Sequence, residues 1–134
     1  MYKVRTGIIM TEKNIKISVV SPEKTIYTGD CEYVSIPGAN GYFGVLYNHA
    51  PLISKLDVGI VEIRNEGKIL KIVVDGGFVE VKANNINILA SSGDLKENID
   101  QQKAIKKLDE LLGNQSNNNE ELKKAKIRVA VHKN

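Results

Sequence analysis

A β-sandwich or flattened barrel followed by a pair of helices is the fold class this sequence predicts. Three observations carry it. Ten of the 11 glycines, all 3 prolines and every aromatic residue lie at or before Gly93. The same half alternates polar and apolar residues in short runs separated by turn signals, the grammar of a half-buried sheet. After Gly93 the chain turns to Lys, Gln, Asn, Glu, Leu and Ala, with Gly113 as the one later glycine, a helical composition.

The elements follow in order. Met1 to about Lys13 reads as a leader, 14–93 as the β domain and 94–134 as the helical domain. Within the leader, Gly7-Ile8-Ile9-Met10 is too short for a secretory apolar core, and Met10 is a second candidate start. In Ile15-Lys16-Ile17-Ser18-Val19 the odd-numbered residues are apolar and face a core. Gly29 to Ile36 repeats the strand pattern. Gly59 to Arg64 places Val61 and Ile63 inward with Glu62 and Arg64 outward. Asn65-Glu66-Gly67 makes a hairpin turn to Lys68–Val74. Asp75-Gly76-Gly77 is read as a further turn before the strand Phe78–Val81. Ala83-Asn84-Asn85 leads into the last strand, Ile86–Ala90. Such regular turn spacing predicts a sandwich or barrel.

In the second half, Asn98 with Gln101 three residues on forms a weak capping box, and Asp100 falls in the first turn, where the helix dipole favours an acid. Ile105, Leu108, Leu111 and Leu112 make one apolar stripe that Gly113 ends. After a polar loop, a second helix starts near Asn118 or Asn119. It carries Leu122, Ala125 and Val129 on one side and Ile127 and Val131 nearly opposite. Two apolar faces on one helix predict two partners, held together or in turn.

Several chemistries are excluded. The net charge of +3 is too small to indicate nucleic acid. Cys31 is the single cysteine, suited to a reducing compartment and to a buried filler role. His49 and His132 are distant in sequence, so no metal site and no catalytic residue is expected. No phosphate-binding or dinucleotide glycine loop is present. Glu62, Glu80 and Asp75 read as ordinary strand-surface or turn acids. No apolar run is long enough to span a bilayer, which predicts a soluble chain that reaches membranes only through partners. This is the pattern of a part that works by contact.

One window stands out. Ile36 to Leu52 gathers Gly38, Gly41, Gly44, Pro37 and Pro51 around Tyr42, Phe43, Leu46, Tyr47 and His49. Glycine permits backbone angles other residues resist, and proline fixes its own. The window therefore predicts a shaped turn region presenting these side chains.

The succession Val19-Val20-Ser21-Pro22, Gly38-Ala39-Asn40-Gly41-Tyr42-Phe43-Gly44-Val45-Leu46, His49-Ala50-Pro51-Leu52, Asp75-Gly76-Gly77-Phe78-Val79-Glu80-Val81 and Asn87-Ile88-Leu89-Ala90 resembles the epsilon subunit of F-type ATP synthases in order and spacing. The resemblance implies a ten-stranded β-sandwich and a C-terminal antiparallel helical hairpin. It implies a non-catalytic rotor part beside the gamma subunit, resting on the c-subunit ring. Its helices either fold onto the sandwich or extend into the alpha/beta catalytic head and restrain ATP hydrolysis. The complex would make ATP using proton or sodium flow, with this chain peripheral on the cytoplasmic face of a bacterial cell membrane. The interface with gamma and the ring would use Tyr42, Phe43, Leu46, Tyr47, His49 and Pro51. Tyr42 stands where many relatives are polar or acidic, so packing and a hydroxyl bond would replace charge attraction. Lys123, Lys124, Lys126 and Arg128 would meet acidic residues of the head.

No resident cofactor is implied, but regulatory ATP is a candidate ligand of the helices. Some relatives bind it through an Ile/Leu-Asp-x-x-Arg-Ala motif, which here reads Ile99-Asp100-Gln101-Gln102-Lys103-Ala104. Asp94, Asp100, Lys103, Lys124 and Arg128 would form that site. Lys103 lacks the planar fork of arginine, and Glu110 reverses the charge where an arginine is the pattern. The rival reading, a stand-alone β-sandwich ligand-binding module, calls for exposed aromatic platforms in a chain without tryptophan. A cupin-like metal enzyme would need clustered histidines.

Overall fold

The computed structural model describes residues 14–114 and 118–133. The predicted leader and the middle of the helix–helix loop lie outside that range. Eight strands are described: β1 (Ile15–Val20), β2 (Thr25–Cys31), β3 (Tyr33–Gly38), β4 (Gly41–Leu46), β5 (Leu52–Asn65), β6 (Lys68–Lys82), β7 (Asn85–Ala90) and β8 (Gly93–Leu95). A 3₁₀ turn at Lys96–Asn98 leads to α1 (Gln101–Gly113) and α2 (Asn119–Ala130). Hydrogen bonding runs in the order β2-β1-β7-β6-β5-β3-β4, with β8 on the outer side of β6. All pairs are antiparallel except β1 with β7.

The expected count of ten strands is corrected to eight, and the reason is physical. β5 and β6 are 14 and 15 residues long and each passes through both layers of the sandwich. The first part of β5 pairs with the last part of β6, and the reverse holds beyond the bend. In both strands the core-facing positions change parity there. Leu56 gives way to Val61 and Ile63 in β5, and Ile72 and Val74 give way to Val79 and Val81 in β6. A side-chain period of two cannot change phase without a local departure from regular strand.

Gly76 and Gly77 supply that departure. Their φ angles are 89° and 128°, in the region that favours glycine. A Cβ on Gly77 would also collide with the Leu89 carbonyl oxygen and Ala90 Cα. Asp75-Gly76-Gly77 is therefore a bend inside one continuous strand, not the predicted turn. The other turns stand as expected. Asn65-Glu66-Gly67 joins β5 to β6, and Ala83 and Asn84, both at positive φ, join β6 to β7.

The core lies between the layers and draws on both, with Val19, Ile36, Val61, Ile72, Val81 and Ile88 all fully or nearly fully buried. Cys31 joins it as a filler; burial, with Asp30 and Glu32 beside it, pushes its thiol up to about 11.

The helices pack outside this core. α1 begins at Asp100, whose carboxylate accepts the Lys103 backbone N–H at 3.0 Å. Asp100, not Asn98, is the cap, because Asn98 is taken up by the 3₁₀ turn and Ile99 is extended. Asn118 caps α2 by accepting from Glu121 N–H, where the second helix was expected to begin. α2 packs against α1, β5 and β6. Ala125 and Val131, one from each of the two predicted apolar sides, are both buried in this conformation.

Candidate functional site

Two surfaces and one polar contact set this structure apart from a plain sandwich. The first surface is the predicted window. Its middle is not a loop but the edge strand β4, whose outward positions are Tyr42, Gly44 and Leu46. Tyr42 is 58 % exposed and Leu46 61 %, about 13 Å apart along the strand. Tyr33 lies across Gly44 on the same face, with the Arg64 guanidinium 5.4 Å from its ring. Phe43 points the other way and packs on the core, so it is not part of the exposed surface. Tyr47, His49 and Pro51 continue the surface beyond the strand as a partly to fully exposed loop.

Internal hydrogen bonds hold that loop. Asn48, at φ 66°, donates its backbone N–H to Asn84 Oδ1 at 2.7 Å, and Asn84 Nδ2 donates back to Asn48 Oδ1. His49 N–H reaches the Leu46 carbonyl, and His49 Nδ1 lies 2.7 Å from the Ala50 carbonyl oxygen. The Tyr42 hydroxyl accepts from Ile60 N–H at 3.0 Å, where the β3–β5 ladder shifts register. The expected hydroxyl bond is therefore made within the chain, which leaves the ring as the part offered outward.

The second surface was missed by sequence reasoning. Val20, Leu89, Phe78 and Lys55 stand in one cross-strand row over β1, β7, β6 and β5. Phe78 and Leu89 are each 56 % exposed, and nearby Ile53 reaches 74 %. Phe78 and Leu89, with Val20 and Pro22, line a shallow apolar hollow. A signal existed. Val79 and Val81 claim the core positions of that segment, so Phe78 must face out.

The polar contact joins the tail to the sandwich. Arg128 of α2 donates from both terminal nitrogens to Asp75 of β6, at 2.9 and 2.7 Å. Ser92 Oγ donates to the same carboxylate at 2.6 Å. The Asp75 side chain is only 3 % exposed and that of Arg128 25 %. Burial pushes the Asp75 carboxyl up, yet the bonds from Arg128 and Ser92 and the Arg128 charge outweigh it and hold its pKa below the ordinary value of 3.8. Asp75 is thus no ordinary turn acid. Around the pair, Val58, Val73, Ala125 and Val131 are buried without belonging to the sandwich core. A second ion pair, Lys123 to Asp57 at 2.7 Å, is half exposed. Lys124 lies 3.7 Å from Glu121 on its own helix, and Lys126 is exposed.

The residues expected to hold ATP are otherwise engaged. Asp94 pairs with Lys24 at 3.0 Å, Asp100 caps α1, and Arg128 is held by Asp75. The Lys103 side chain is exposed. A cavity of about 370 Å³ between tail and sandwich has Lys124 and Arg128 in its wall, together with Lys107, but also Asp75 and Glu121. Two carboxylates facing three cations leave little net positive charge for a triphosphate, so the residues present do not fit that ligand.

A bent β-sandwich with a helical pair docked on it and apolar surfaces outside its core is the build of a contact protein. Residues 14–94 match the family model for the ATP synthase delta/epsilon chain β-sandwich domain. An ATP synthase epsilon chain of Leptospira interrogans is 44 % identical over 124 residues, covering 91 % of this chain and 98 % of that relative. One from Pelotomaculum thermopropionicum is 42 % identical over 91 residues, 68 % of each chain. Among solved structures, a chain of the Euglena gracilis mitochondrial ATP synthase F1/c-ring assembly superposes with a TM-score of 0.70 at 26 % identity, over 87 % of this chain and 76 % of that one. A chain of the Tetrahymena thermophila central stalk and c-ring shares the fold, with a TM-score of 0.53 at 15 % identity over 63 % of this chain and 69 % of that one. The chain belongs to the ATP synthase delta/epsilon family, with the epsilon chains. It is a non-catalytic subunit of that membrane-associated complex. Among the described residues no helix is long and apolar enough to cross a membrane.

Proposed function

We propose that this chain is a rotor part of a bacterial ATP synthase, peripheral on the cytoplasmic membrane face, that couples ion-driven c-ring rotation to the gamma shaft. The observation that carries this reading is the pair of exposed apolar surfaces on a body whose core is already complete. Large apolar side chains gathered on a surface mark contact with other proteins. The edge-strand surface, with Tyr42, Leu46, Tyr47, His49 and Pro51, serves contact with gamma and the ring. The Phe78, Leu89 and Ile53 surface adds a second contact to the shaft.

The helices regulate. In the docked form Lys123 and Arg128 are spent on Asp57 and Asp75. In an extended form they and Lys124 and Lys126 become available to acidic residues of the catalytic head, so docking and inhibition exclude each other. Reconstitution with gamma, the ring and the head tests both parts. Phe78→Glu together with Leu89→Glu should weaken gamma binding by at least about tenfold; unchanged binding removes that surface from the interface. Deleting residues after Gly93 should raise ATP hydrolysis. Unchanged hydrolysis refutes the regulatory role and leaves the coupling role intact.

A further inference from the structure

We propose that Asp75 is a built-in anion that takes the place a nucleotide phosphate would need at Arg128, so that the tail of this chain docks without any ligand. The inference deepens the regulatory reading of the tail and takes its biological meaning from it, but its physical content concerns this chain alone.

Three observations converge. Arg128 has the least exposed side chain of the described tail cations in ion pairs, and its fork is fully matched by both carboxylate oxygens of Asp75. A bidentate guanidinium–carboxylate pair is the geometry an arginine would otherwise offer a phosphate. Ser92 binds the same carboxylate, and the Asp75 backbone N–H donates to the Ser92 carbonyl at 2.9 Å, so the acceptor is fixed before the tail arrives. The cavity beside the pair brings Glu121 as well as Lys107 and Lys124, so its charges are largely balanced from within. An entering polyanion would have to displace a preorganised internal carboxylate and leave that carboxylate buried without its cation, a costly outcome.

The other holds on α2 are modest: Val131 is buried just beyond its end, and Lys123 pairs with a half-exposed Asp57. The one described residue of α2 buried among the apolar set within the helix is Ala125, and α1 packs chiefly on α2 rather than on the sheet. The pair is the least exposed ion pair between tail and sandwich, so its loss should release α2 more readily than any other single polar change.

Amide hydrogen exchange of the full chain tests this, with the β1 and β7 amides as a control for the sandwich. In the native chain α2 should be protected with no nucleotide present, and millimolar Mg-ATP should leave that protection unchanged. Asp75→Asn should lower α2 protection by at least about tenfold while β1 and β7 keep theirs. Should that variant disturb the sandwich, Arg128→Gln, placed on the tail, should give the same selective loss. Protection of native α2 that appears only with Mg-ATP overturns the proposal, and so does unchanged protection in both variants. Because no arm measures hydrolysis, the latch can fail while tail regulation stands, and the reverse.

Discussion

The sandwich and the tail are held by different forces. The sandwich closes on a continuous set of fully buried aliphatic side chains contributed by seven of its strands. The tail has only a few small buried side chains, Ala104, Ala125 and Val131, among its described residues, and it rests also on ion pairs. Aliphatic burial is non-directional and cooperative, so the sandwich opens as a whole. A docking that depends on one buried carboxylate is directional and can be lost alone. A single chain thus carries a permanent body and a removable arm, and the difference lies in which residue types meet at each junction.

Four substitutions or conditions would break or sharpen that contrast. Ile72→Ala, in the middle of the core, should destabilise the sandwich by about 2–5 kcal/mol, read as a lower denaturant midpoint for the whole chain. Unaltered global stability would mean the core is not the holding element. Asp75→Ala should act on the other region, weakening tail docking by about 2–3 kcal/mol while the denaturation midpoint of the sandwich moves little. Hydrogen exchange and thermal melting on the same sample separate the two effects.

Acid gives the third contrast. The Asp75 pKa is depressed in the docked state, so its contribution is present above the ordinary carboxylate value of 3.8 and is lost as pH falls through the lowered one. Tail docking should therefore be flat with pH from about 9 down to about 5. A docking transition inside that window would assign the latch to another group. Smallest of all is Lys123→Ala. Its partner Asp57 is held low by the Lys123 hydrogen bond, but both side chains are near half exposed, and the loss should be about 0.5 kcal/mol or less and disappear in high salt.

Local patterns were legible in the sequence wherever one face of a segment is wet. Ile15–Val19, Gly59–Arg64 and the Asn65-Glu66-Gly67 hairpin were read correctly because period-two alternation and turn chemistry are properties of neighbouring residues. Asp75-Gly76-Gly77 was misread because an acid before two glycines has the local look of a hairpin. That β5 continues opposite it is a fact about residues twenty positions away. The cap of α1 was missed for a similar reason, since Asn98 and Asp100 are both good caps and only the 3₁₀ turn decides between them.

The latch shows the same limit. The sequence marks Arg128 as a contact residue, but nothing in its own neighbourhood points to Asp75, 53 positions away, as its partner in the docked form. A clue stood nearby. Ile69-Leu70-Lys71-Ile72-Val73-Val74 is apolar at nearly every position, which marks a strand covered on both faces. Val73 is fully buried although it lies outside the sandwich core, and what covers that face is the tail. The exposure of Phe78 and Leu89 carries no turn or glycine signal and follows from strand parity alone.

The two long strands have a mechanical consequence. Because β5 and β6 cross from one layer to the other as unbroken peptide, sliding the layers past each other would stretch covalent backbone as well as shift side chains. A load applied at Phe78 on one sheet is carried to Asp75 on the other through the two residues between them on a single strand. The body is therefore stiff against shear in the direction set by that fold-over, and in β6 the crossing is made by a pair of glycines.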